Sequence, residues 1–144
     1  MKATLPLILI ALLLTLTTVH AQDRAPVPPI VGQGFDQLRS NGSLAAMSAW
    51  FAGSAKENDA DQDRAAANLN SAQTYYGQYL GYEILRSVPL TASTERVYAA
   101  VKFEKGVAWI AFDCYRPDKN WIVVRFDFGS NANLILPPNL LGGQ

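Results

Sequence analysis

Val107-Ala-Trp-Ile-Ala-Phe-Asp-Cys-Tyr115, a short turn, and then Trp121-Ile-Val-Val-Arg-Phe-Asp-Phe128 form the passage on which the fold of this chain depends. Strand side chains alternate between faces with period two. In the first run Ala108, Ile110, Phe112 and Cys114 therefore share one side, with Trp109, Ala111, Asp113 and Tyr115 on the other. In the second, Ile122, Val124, Phe126 and Phe128 alternate with Trp121, Val123, Arg125 and Asp127. One face is a dry core; the other mixes aromatics with charge. The passage reads as two adjacent strands of a half-buried antiparallel sheet.

Working outward, Arg116-Pro-Asp-Lys-Asn120 is a turn with proline preset at its second position. Arg96–Glu104 is a preceding strand with Val97, Ala99, Val101 and Phe103 on its apolar side, joined through Lys105-Gly106 by a tight connection in which glycine supplies positive φ. Tyr82–Val88 is a first strand, followed by a loop over Pro89–Ser93. Upstream the period becomes helical. Ala65, Leu69, Ala72, Tyr76 and Tyr79 make one stripe of a long helix. Ser43 is placed to N-cap a shorter helix with Leu44, Met47 and Phe51 on one face, and Phe35 with Leu38 marks a helix before that. Helices first and a meander afterwards predict an α+β domain, with N-terminal helices packed on one face of a curved four-stranded antiparallel sheet.

The N-terminus has one charge, Lys2, then an apolar run from Leu5 to Leu16 and Val19-His20-Ala21. This reads as a signal peptide cleaved after Ala21. The run is about a dozen residues, short of the ~20 that span a bilayer, so no membrane anchor is expected after cleavage. The expected organisation is a signal peptide over 1–21, an extended Pro- and Gly-rich leader over 22–34, one domain over 35–136 and a C-terminal tail over 137–144. The destination is periplasmic or extracellular, in a bacterial host. Without Lys2 the chain keeps eleven cations against twelve carboxylates, a formal charge of −1. No basic stripe is present, so no nucleic-acid partner is expected.

The only histidine, His20, falls in the expected signal peptide. Its loss removes Ser-His-Asp and Cys-His nucleophiles, imidazole base catalysis and most zinc or copper sites. Neither metal nor cofactor is expected. Cys114 is the lone cysteine, so no internal disulfide can form, and alternation makes it a small hydrophobe of the core. Asp59, Asp61 and Asp63 resemble the start of a calcium loop, but the positions that need Gly and Glu hold Arg64 and Asn70. They are expected instead to complement a helix N-terminus. Gly32-Gln33-Gly34 lacks the preceding strand of a dinucleotide fingerprint and reads as linker.

The order of parts (helices, a Tyr76-Gly77 helix end, a long curved meander and the final strand Trp121-Ile-Val-Val) resembles small exported proteins of the cystatin-like or NTF2-like superfold, over roughly Phe35 to Leu136. The resemblance implies a cone-shaped pocket between sheet and helix, and homodimers through the other sheet face. Isomerase members of that superfold aim an acid or base into the pocket, and the apolar side of the last strands here offers no carboxylate. The fold hosts many activities and does not fix one.

Three groups of residues are candidates for function. Tyr76, Tyr79 and Tyr82 cluster where helix gives way to strand and are expected at a ligand-pocket rim, since tyrosine combines a flat apolar body with a polar tip. Trp109, Tyr115, Trp121 and Arg125 share the mixed sheet face, where aromatics call for an interface or for cover by the C-terminal tail. Asp113 with Tyr98 or Tyr115 is the weaker catalytic alternative, an acid–base pair without histidine. The expected function is a non-enzymatic exported domain binding a partner protein or a small apolar ligand. A histidine-free isomerase or lyase, or a structural envelope component, are the competing readings.

Overall fold

The computed structural model describes residues 26–142. The expected signal peptide, with His20 and the first residues of the leader, lies outside the described residues. The protein is an α+β domain. Three helices, α1 (Pro29–Asn41), α2 (Ser43–Phe51) and α3 (Ala60–Tyr76), precede four strands, β1 (Tyr79–Thr91), β2 (Thr94–Phe103), β3 (Gly106–Tyr115) and β4 (Ile122–Gly129). The strands form an antiparallel meander in the order β1-β2-β3-β4, and a short helix α4 (Ala132–Ile135) with a 3₁₀ turn (Pro138–Leu140) follows. No helix among the described residues is long and apolar enough to cross a membrane.

The leader is shorter than the composition suggests. Pro29 opens α1 at its first position, where a missing N–H costs nothing and the fixed φ already suits a helix. Val31, Phe35 and Leu38 form the buried stripe, and Gly34 lies among them. A Cβ on Gly34 would sit 1.9 Å from Trp50 Nε1. Glycine here permits α1 and α2 to touch, and the indole N–H of Trp50 donates to the Val31 carbonyl at 3.1 Å. Gly32-Gln33-Gly34 is therefore a helix contact and no linker.

In α2 the buried face is Ala46, Met47, Trp50 and Phe51, while Leu44 is exposed. Ser43 is the first helical residue rather than the cap, and its hydroxyl accepts from Gln73 of α3 at 3.2 Å. Asp59 caps α3, with Asp61 and Asp63 in the first turn, so the aspartates do complement the helix start. The stripe of α3 is Gln62, Ala66, Leu69 and Ala72, and the helix ends at Tyr76, leaving Tyr79 to begin β1.

Val97, Ala99, Val101 and Phe103 of β2 are buried on the face that receives the helices, as are Ala108, Ile110, Phe112 and Cys114 of β3. β1 continues through Pro89 to Thr91; an edge strand tolerates proline because one side of its backbone has no ladder partner. Phe103 pairs directly with Gly106, so Glu104 and Lys105 make the turn. Gly106 does not have positive φ. Its hydrogen instead makes room for Tyr76, whose ring carbon would lie 2.3 Å from a Cβ.

β4 departs most from simple alternation. Asp113 pairs with Arg125 but Cys114 pairs with Val123, so β4 advances two residues where β3 advances one. Val124 is the extra residue of a β-bulge, and every side chain before it changes face. Phe126 and Phe128 point to the core as expected, but Val124 is exposed, and Val123 is buried in its place. Trp121 moves with Val123 and packs against the main core.

The outer face has its own cover. Tyr98, Ala111 and Leu136 form a small buried cluster, joined by Trp109, Leu85, Ile135 and Leu140. Of the two readings the sequence left open for this face, an interface or cover by the C-terminal tail, the C-terminal segment over Tyr98, Ala111 and Trp109 fits the second.

Candidate ligand cavity

A cavity of about 640 Å³ opens at the end of the sheet beneath the β3–β4 turn. Its walls are Pro29, Ile30 and Gln33 from the first turns of α1, Ala52 and Gly53 after α2, Pro117 to Asn120 of the turn, and Trp121 with Ile122. The bulge at Val124 places Trp121 there, because without it the indole would face the opposite side of the sheet. The turn is fixed from behind. Arg116 donates through its backbone N–H to Ser93 O at 2.8 Å and through Nη2 to Ala92 O at 3.1 Å. Its guanidinium lies 4.9 Å from the Trp121 ring centroid, a cation–π contact. The β1–β2 hairpin tip therefore holds Arg116, and Arg116 holds the indole.

The volume falls within the range of small-molecule sites. Ile30, Pro29, Ile122 and Trp121 offer an apolar surface, and the amides of Gln33 and Asn120 offer both donors and acceptors. Asp118 and Lys119 supply charge at the exposed turn.

The three tyrosines do not meet around one pocket. Tyr82 stacks on Phe35 with centroids 3.9 Å apart, and Tyr79 lies parallel to the same ring at 6.4 Å. Both complete the core between α1 and β1. The Tyr79 hydroxyl is buried without a partner among the described residues, and burial pushes its pKa up to about 12, with the Arg39 charge beside it pulling the other way. Tyr76 stacks on Phe103 and lines a separate cavity of about 410 Å³ with the exposed Tyr75.

The proposed interface group is also divided. Trp109 is half-buried under the C-terminal segment, Trp121 faces the other side, Tyr115 sits at the exposed end of β3, and Arg125 lies on the β4 edge in an ion pair with Asp127 at 2.7 Å. Asp113 is no free base. Arg96 Nε donates to Oδ1 at 2.5 Å and Nη2 to Oδ2 at 2.8 Å, so both oxygens are occupied. The same hydrogen bonds push the Arg96 pKa upward. Of the two expected proton donors, Tyr98 is covered by Leu136 and its neighbours, and Tyr115 is exposed at the end of β3.

One residue was missed. Glu95 is only 5% exposed, accepts a hydrogen bond from Ser87 Oγ and stands opposite Cys114 in the ladder. The inner face does contain a carboxylate, on β2. Burial, and then the Glu95 charge, push the Cys114 thiol up to about 12. Starting β2 at Arg96 hid this residue: extending the alternation Val97, Ala99, Val101 back by one step puts Glu95 on the core side. Glu95 does not line the Trp121 cavity.

Comparison of the chain with protein-family models, with curated proteins and with solved structures returned no match.

Proposed function

We propose that this chain is an exported binding domain of the cystatin-like or NTF2-like kind, which takes a small ligand with a flat apolar face in the cavity at Trp121. The observation that supports this is the construction of the cavity wall: an indole braced by Arg116, apolar side chains beside it, and the amides of Gln33 and Asn120 in the lining. The catalytic alternative loses its support at Asp113, whose carboxylate is fully engaged by Arg96. The tyrosine-rim version of the ligand site loses Tyr79 and Tyr82 to the core.

The test is native mass spectrometry of protein purified from its own host, with Trp121→Ala and Trp109→Ala alongside. A small-molecule adduct on the wild type and on Trp109→Ala, absent from Trp121→Ala, is the expected result. An adduct that survives Trp121→Ala, or repeatedly empty wild-type spectra, overturns the assignment.

A further inference from the structure

Among the described residues the sheet has two free edges, and they differ. β1 is blunted by Pro89 and by three register shifts against β2, devices that discourage pairing with another chain. β4 has a single irregularity, at Val124, followed by the run Arg125 to Gly129 in one-to-one register with β3. This regular edge, from Arg125 to Phe128, forms one side of a slot of about 390 Å³ whose other walls are α4 and the start of α3, where Lys56, Asp61 and Arg64 pair among themselves. Leu134 of α4 stands at the slot and is 81% exposed, the highest value for a large apolar side chain among the described residues.

The edge is its own complement. In an antiparallel pair centred on Phe126, Arg125 faces Asp127 of the partner subunit, and Asp127 faces the partner's Arg125. Both side chains lie on the outer face and already pair within one chain at 2.7 Å. Joining two copies makes a four-charge checkerboard in which each cation has one carboxylate along its own strand and one across. Opposite charges directly across an antiparallel pair are favourable, and like charges are not. Sliding the register by two residues either way sets Arg125 against Arg125 of the partner subunit, or Asp127 against the partner's Asp127. The charges therefore select one register, and a two-fold axis requires such self-complementarity.

We infer that two copies of this chain associate through their β4 edges about Phe126, joining two four-stranded sheets into one. The occupant of the slot is a second copy of the chain. The outer face, the other place for a dimer, is covered by the C-terminal segment over Tyr98, Ala111 and Trp109. The inference stands apart from the Trp121 cavity, and either can fail without the other.

Sedimentation equilibrium of the purified protein over a range of micromolar concentrations tests it, with Arg125→Asp, Asp127→Arg and the double exchange R125D/D127R. Both residues are substantially exposed in the single chain, so each variant keeps the fold, which circular dichroism checks. The wild type is expected to reach twice the protomer mass. Each single reversal weakens dimerisation roughly tenfold or more, since it places like charges across the axis twice. The double exchange restores the wild-type constant. A monomer at every concentration, a dimer indifferent to the single reversals, or an exchange that fails to restore association each overturns the proposal.

Discussion

On the inner face of the sheet, alternate residues of β2 and β3 are buried under three helices, and the rings of Phe35, Trp50, Phe112 and Phe126 meet at centroid separations of 5.1 to 5.9 Å. On the outer face the cover among the described residues is one short segment, Ala132 to Leu140, whose Leu136 is buried on Tyr98 and Ala111. The same strands supply both surfaces. The difference lies in what packs on them: three helices whose buried side chains join the strands in one large core, or a single irregular stretch with a few apolar anchors. Stability should therefore be concentrated on the inner side, and the outer side should be able to loosen first.

Phe112→Ala puts the largest strain on that asymmetry. The ring touches Phe35, Trp50 and Phe126, and its removal leaves a cavity among rigid neighbours. A loss of about 3–5 kcal/mol in urea unfolding is expected. A loss below about 1 kcal/mol would show that the helices and sheet are not one core.

Leu136→Ala is the matching change outside. The expected loss is about 2 kcal/mol, at the low end for leucine because Trp109 and Ile135 around it are only half-buried. Detachment of the segment wets Trp109, while Trp50 stays fully buried. A red shift of part of the tryptophan emission, with far-ultraviolet circular dichroism unchanged, is the expected signature. Cooperative loss of all structure would mean that the two faces unfold together.

Titration sharpens the comparison from the inner side. Cys114 ionises near pH 9 when unfolded, but burial and Glu95 push its folded pKa up to about 12. Between these values the folded protein retains a proton that the unfolded chain has lost, so stability falls as pH rises. By pH 10 the loss is about 1–2 kcal/mol, and Tyr79, raised from 10.0 to about 12, adds to it only above that. Cys114→Ala should flatten the profile between pH 8 and 10, measured as urea midpoints. An unchanged slope would mean the thiol is solvated.

What was legible in the sequence follows the same division. Period two identified the inner face of β2 and β3 because those strands are regular and their partners large. Composition misled at α1, where Pro29 and Gly34 look like a leader but serve a helix start and a close helix contact. The bulge at Val124 was invisible, since valine follows valine and either can be the extra residue; that one step moved Trp121 from a supposed interface to a cavity wall. The outer cover has no periodic signal at all. Its anchors, Ile135, Leu136 and Leu140, are spaced for a turn-rich stretch rather than for a helix or strand.

The smallest effect separates two regions of the outer face itself. Arg96 and Asp113 form a bidentate pair beside the C-terminal segment, where Arg96 lines a small cavity with Pro137 and Asn139. Lys102 and Glu83 form an equally close pair, at 2.6 Å, on exposed strand positions further along. Distance alone would rank them together. Cover should separate them, because partial burial reduces screening and the fork geometry of arginine fixes both hydrogen bonds. Asp113→Asn is expected to cost about 1 kcal/mol after discounting for the exposure that remains, and Glu83→Gln less than about 0.5 kcal/mol. Raising salt should erase the second cost and leave most of the first. Equal costs for the two substitutions would mean that the C-terminal segment contributes apolar contact to the outer face without shielding the charges beside it.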